Sequence, residues 1–233
     1  MYYLIINTKN YAEASGKRLD RLLSLAGRVS AKYRNRVEVY FALPAFYLSY
    51  AHTKYPKLKL LAQHIDPEEP GSTTGHLVAE IAKMSGAVGT LANHSEHRMN
   101  RRLVQRLIEK LHKLDMISVV CARDPSEVAA FGKFSPDFIA VEPPELIGTG
   151  NAVSKSKPKV ISDSYFRLEK AKSPNSKTRL LCGAGIVDGN DAKRAVELGA
   201  SGILVASGVV KAKNWKIALE DLANGLSDAR QIV

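Results

Sequence analysis

Three residues suited to acid–base work stand at the ends of apolar runs. They are Lys9 in Asn7-Thr8-Lys9, His94 in Asn93-His94-Ser95-Glu96, and Glu142 ahead of Pro143-Pro144-Glu145-Leu146-Ile147-Gly148-Thr149-Gly150. Two glycine-bearing segments, Gly183-Ala184-Gly185 and Ala206-Ser207-Gly208, also follow apolar runs. There a backbone N–H can approach an anion with no Cβ in the way. A carboxylate can accept a proton, an imidazole can polarise an oxygen, an ammonium can offset negative charge, and the glycine segments can cradle phosphate. Together these types point to proton abstraction beside the carbonyl of a small phosphorylated sugar. Taken singly, each has a plainer reading. A Lys ending a strand is usually a solvated charge, a lone His after a strand is more often hydrogen-bonded in a loop or core, and a Glu before Pro can simply cap a turn. Their joint placement favours the chemical reading.

That placement depends on the elements that carry it. Apolar runs bounded by turn signals fall at residues 2–6, 37–42, 58–62, 88–92, 117–121, 138–141, 179–182 and 202–205, which predicts eight strands. The stretches between them carry helical spacing. After His97, for example, Met99, Leu103, Leu107 and Leu111 recur every four residues, with Arg101, Arg102, Arg106, Lys110 and Lys113 on the other sides. Asp124-Pro125-Ser126-Glu127 reads as a capping box with Pro at the first helical position, and Gly199 as a left-handed stop to the helix before it. Eight strand-plus-helix units in 233 residues are close to the ~30 residues of a βαβ unit, and no linker-like stretch interrupts them. The expectation is α/β, one (β/α)8 barrel domain spanning residues 1–233, although periodicity alone leaves room for an open doubly wound sheet. In a barrel, chemistry belongs at the carboxyl ends of the strands, where the candidate residues lie.

Composition is that of a globular chain, 45% hydrophobic and 24% charged. No apolar run approaches the ~18 residues of a membrane span, and the start lacks the features of a signal peptide. A soluble, cytoplasmic protein with no membrane partner is expected. Cys121 and Cys182 lie in apolar runs without metal or disulfide spacing and read as reduced core thiols. The net charge of +11 favours anionic ligands without choosing among metabolite, nucleic acid and acidic surface. The basic residues after His97 have no interleaved aromatics and read as a solvated face, so no nucleic-acid partner is expected. Ile108 and Leu111 of that helix offer an apolar face that could serve subunit contacts. His64, Asp66 and His76 resemble a metal set, but their spacing spans a whole loop with no fourth ligand, and no metal is expected.

The ordered motifs Asn7-x-Lys9, Ala62-Gln63-His64-Ile65-Asp66, Gly71-Ser72-Thr73-Thr74-Gly75-His76, Asn93-His94-Ser95-Glu96-x-Arg98 and the run from Val141 to Gly150 resemble the triosephosphate isomerase family in its shorter archaeal form, over essentially the whole chain. The resemblance implies interconversion of dihydroxyacetone phosphate and D-glyceraldehyde 3-phosphate through an enediolate, without metal or organic cofactor. This family is itself a much-used illustration of acid–base tuning, so the roles that follow are inherited from it. Glu142 is implied as the base, and His94 as a neutral electrophile beneath the dipole of a helix opened by Ser95 and Glu96. Lys9 offsets anionic charge, Asn7 and Thr8 are implied with it as substrate-binding residues, and Glu96 anchors it between turnovers. Ile147 and Gly148 belong to a lid, and Gly183, Ala206 and Ser207 to a phosphate nest. Pro144-Glu145-Leu146 replaces the Trp-bearing lid hinge of longer members, and Gly185 stands where a phosphate-binding Ser is frequent. A homo-oligomer, typically a tetramer, is also implied.

Overall fold

The computed structural model describes residues 1–143 and 158–232. Its strands are β1 (Tyr2–Asn7), β2 (Val37–Leu43), β3 (Lys59–Ala62), β4 (Ala87–Ala92), β5 (Ile117–Ala122), β6 (Phe138–Val141), β7 (Arg179–Cys182) and β8 (Gly202–Val205). They pair in parallel, each with the next in sequence, and β8 returns to β1 to close the barrel. Around it, among the described residues, run α1 (Gly16–Tyr33), α2 (Leu48–Lys54), α3 (Ala79–Met84), α4 (Arg101–Lys113), α5 (Pro125–Gly132), α6 (Pro158–Ala171), α7 (Gly189–Glu197), α8 (Ser207–Val210) and α9 (Trp215–Ser227). The closed sheet excludes the open doubly wound alternative.

Near-continuous apolar strands suit this arrangement because both faces of the sheet are covered. Successive side chains alternate: Leu4 and Ile6 join the sleeve between sheet and helices, while Tyr3 and Ile5 point into the barrel with Tyr40, Leu61, Leu91, Val119, Phe138 and Leu204. The Tyr3 and Phe138 rings meet edge-on at 4.7 Å. The interior is therefore a packed core, and truncating Leu91 to Ala would cost about 2–5 kcal/mol. Closure also demands close backbone approach. A Cβ on Gly202 would stand 2.1 Å from the Tyr3 carbonyl oxygen. Cys121 faces the interior and Cys182 the sleeve, both buried and free.

The caps follow their sequence signals with one shift. Asp124 accepts from the Ser126 and Glu127 N–H groups at 2.9 Å, but Glu127 reaches back to the N–H of Arg123, one residue before the expected partner. Gly199 adopts φ +104° behind α7. In α4 the buried stripe is Val104, Leu107, Ile108 and Leu111, so Leu103 turns partly outward. Ile108 and Leu111 pack on the barrel, which corrects the alternative that they form a subunit contact. Lys110 is also corrected from a solvated position. It is 7% exposed, bonded to the Glu68 carbonyl and paired with Glu80 at 3.1 Å and Glu69 at 3.4 Å. Among the described residues no helix is long and apolar enough to cross a membrane.

Candidate active site

The carboxyl ends of β1, β4, β6, β7 and β8 surround a cavity of about 370 Å³. It is lined by Asn7, Lys9, Tyr11, His94 and Glu142 together with residues 183–187 and 204–208. The Lys, His and Glu singled out by sequence are thus brought together, as are the two glycine segments.

Lys9 is held in a left-handed conformation, φ +46°, which costs a non-glycine residue energy unless its surroundings enforce it. Here the Asn7 side chain accepts the Lys9 N–H at 2.9 Å, and the Gln63 amide donates to the Lys9 carbonyl at 3.0 Å. The Lys9 ammonium then meets Glu96 at 2.6 Å. Thr8 is fully buried, with its hydroxyl on the Ala42 carbonyl, and its side chain is not part of the cavity wall. Strand alternation explains this, since Asn7 and Thr8 point to opposite sides.

Next to β4, Asn93 takes φ +56° and is locked by donating to the Cys121 carbonyl and accepting from the Met99 N–H, both at 2.9 Å. His94 follows at 8% exposure. Its Nδ1 accepts the Glu96 N–H at 3.2 Å, which assigns the proton to Nε2, 3.7 Å from Glu142 Oε1. Burial first, and then the nearby Lys9 charge, push its pKa down to about 4, so the ring is neutral near pH 7. The expected cause is corrected. Ser95 and Glu96 form a turn, closed by the His97 N–H on the His94 carbonyl, and α4 begins only at Arg101 behind the Asn100 cap. Desolvation and the Lys9 charge take the place of the helix dipole, and the turn N–H of Glu96 fixes the tautomer.

Glu142 is 3% exposed, and burial pushes its carboxyl up to about 7, with the Cys121 thiol and Lys9 pulling the other way. Its Oε2 is buried without a hydrogen-bond partner among the described residues. A buried carboxylate with Oε1 toward an imidazole and Oε2 unpartnered among the described residues is poised to take a proton from something placed in the cavity.

Ala206, Ser207 and Gly208 lead into α8, whose first N–H groups have no intrahelical partner. The β7 loop carries Gly185 at φ +69°. Buried Asp191 braces that loop by accepting the Val187 N–H at 3.1 Å. Ile147 and Gly148 lie outside the described residues. His64 and His76 both gather on Asp66, at 3.1 and 3.5 Å, while Asp66 also accepts the Leu77 N–H and His97 stacks on His64 at 4.1 Å. The trio ties down the loop after β3. Among the described residues no group of three or more His, Cys, Asp or Glu is arranged to hold a metal ion. Tyr11, Ile186 and Val187 line the cavity without having been picked out from sequence, and Gln63 was quoted in a motif with no role. No residue type marks them; only closure of the barrel brings them to the site.

Fold and site define a (β/α)8 barrel with a Lys, a His and a Glu gathered at the carboxyl ends of its strands. The triosephosphate isomerase family model matches residues 2–224. A triosephosphate isomerase of Cenarchaeum symbiosum is 47% identical over 96% of this chain and 97% of its own length. Those of Methanothermus fervidus and Methanopyrus kandleri are each 44% identical, over 94% and 96% of this chain and 96% and 97% of their own. The chain belongs to the triosephosphate isomerase family and is an intramolecular isomerase.

Proposed function

We propose that the enzyme interconverts dihydroxyacetone phosphate and D-glyceraldehyde 3-phosphate through an enediolate, with Glu142 as base and His94 as electrophile. The observation that carries this reading is the 3.7 Å approach of the His94 Nε2 to the Glu142 carboxylate beside Lys9, at the wall of one cavity. The carboxylate removes a proton from the hydroxyl-bearing carbon next to the ketone. The C–H electron pair becomes the new C=C bond, and the carbonyl π pair moves onto oxygen. The Nε2–H of neutral His94 donates to that oxygen, and the ring then recovers a proton from the neighbouring hydroxyl. Glu142 returns its proton to the former carbonyl carbon, which leaves an aldehyde and restores both groups. A positioned base of this kind contributes about 10²- to 10⁴-fold.

Lys9 offsets charge on the phosphate and the enediolate, and preorganised charge of this sort is commonly the largest catalytic term. Asn7 fixes the Lys9 backbone, and Glu96 holds the ammonium between turnovers. Thr8 acts from beneath through its bond to β2. Ala206 and Ser207 receive the phosphate through main-chain N–H groups, whereas the Gly183 N–H is already bonded to the Val141 carbonyl at 2.9 Å, so that glycine contributes room instead of a donor. Ile147 and Gly148 belong to the lid that excludes water over the phosphate. No residue in this scheme needs a metal or organic cofactor. The family resemblance further supports a cytoplasmic homotetramer built from one barrel domain over residues 1–233. A solution mass near four times 25.5 kDa is expected by light scattering.

A coupled assay on dihydroxyacetone phosphate tests the reading. Turnover is expected with or without chelator, and E142A is expected to lose orders of magnitude while remaining folded. Near-wild-type turnover by E142A would remove the assigned base, and sensitivity to chelator would replace this chemistry with a metal-assisted one.

A further inference from the structure

The phosphate end of the cavity is lined by residues 183–187 and 204–208, none of which carries a charge. Among the described residues the one cationic side chain in the cavity lining is Lys9, and it is already shared with Glu96 at 2.6 Å. A phosphate monoester near pH 7 carries about two negative charges, so neutral N–H groups and a shared ammonium leave much of that charge unmatched. A second cation stands just behind the lining. The Lys211 ammonium lies 4.5 Å from the ring centroid of Tyr11, and Tyr11 is itself part of the wall. Lys211 caps α8, its N–H bonded to the Ser207 carbonyl at 3.0 Å, so its backbone sits one turn from the glycine-bearing segment. Among the described residues no carboxylate pairs with it, and the electron-rich face of Tyr11 seats the ammonium against a residue of the cavity wall.

We propose that Lys211, seated on Tyr11, is a steering residue that speeds capture of the substrate's phosphate dianion; this rests on the functional reading above. It touches no reacting atom. Its charge adds to that of Lys9 across the mouth of a low-dielectric cavity, where field lines are focused on an approaching anion. Where encounter limits kcat/KM, such a charge raises it and leaves the chemical step alone. One unit charge acting on a dianion at roughly 10 Å through water is worth about a three- to fivefold change at low ionic strength. At about 0.5 M salt the effect is screened away.

The test compares wild type, K211Q, K211E and K211R on dihydroxyacetone phosphate at low and high ionic strength. K211Q should lose about three- to fivefold in kcat/KM at low salt and K211E more, with kcat unchanged and the deficit gone at high salt. K211R should match wild type. Titration of inorganic phosphate reads the same charge without turnover, and K211Q should bind it more weakly only at low salt. Equal kcat/KM and equal phosphate binding in K211Q would overturn the inference. So would a loss that persists in salt, falls on kcat or appears in K211R, since each marks a packing role. If wild type fails to turn over the triose phosphate, the functional reading falls, and phosphate titration still decides the role of Lys211.

Discussion

Gly183, at the end of β7, lies against the side chain of Glu142, at the end of β6, so closely that a Cβ on the glycine would stand 2.5 Å from the Glu142 Cγ. The absence of a side chain at position 183 therefore sets where the carboxylate rests, while the Gly183 N–H is held by the Val141 carbonyl at 2.9 Å. Gly183→Ala is expected to displace the carboxylate, and a displacement of about 1 Å can cost on the order of 10²-fold in rate. The expected result is a kcat loss of that order with only a small drop in melting temperature. Unchanged kcat in G183A would show that the carboxylate has room to spare.

Burial holds Glu142 protonated up to about pH 7, against an ordinary value of 4.5. Unfolding releases that proton at any pH between the two. The stability this contributes is fully present below pH 4.5 and is lost as pH rises to 7, on the order of 3 kcal/mol in all. His94 runs the other way. Its native pKa near 4 lies below the ordinary 6.5, so stability is lost as pH falls through that window. Glu142→Gln removes the first slope and keeps the second. Chemical denaturation should show the stability of E142Q relative to wild type improving by up to ~3 kcal/mol between pH 4.5 and 8. A difference that stays constant with pH would contradict desolvation as the cause.

Lys110 joins α4 to Glu80 on α3 and to Glu68 and Glu69 in the loop after β3. Glu69 is largely exposed and screens part of the charge, so Lys110→Met should cost less than a fully buried pair would, about 1–3 kcal/mol. The loss should appear in the unfolding midpoint while kcat holds. A neutral or stabilising K110M would mean that the apolar stem, rather than the charge, is what the site uses.

Much of this molecule was legible in its sequence because each strand is a short apolar run and each catalytic candidate ends one. Lys9, His94 and Glu142 follow β1, β4 and β6, and closing the cylinder brings such strand ends together. What escaped was set by tertiary contact. The helix expected directly after His94 is a turn, since Asn93 and Asn100 absorb the intervening backbone groups and delay α4 to Arg101. A four-residue spacing drew attention to Leu103, but the helix rotates so that Val104 meets the barrel. Tyr11 and Gln63 carry no motif of their own, and only the packed loops show that one walls the cavity and the other braces Lys9.

The account turns on one carboxylate moving one proton between neighbouring carbons. Incubating dihydroxyacetone phosphate with the enzyme in deuterium oxide, and following carbon-bound hydrogen by NMR, reads that step without a coupling enzyme. Wild type should introduce deuterium at carbon as it forms the aldehyde, and E142Q should lose exchange and isomerisation together, by about 10²- to 10⁴-fold. Exchange at near-wild-type rate in folded E142Q would contradict the account, because another group would then be taking the proton.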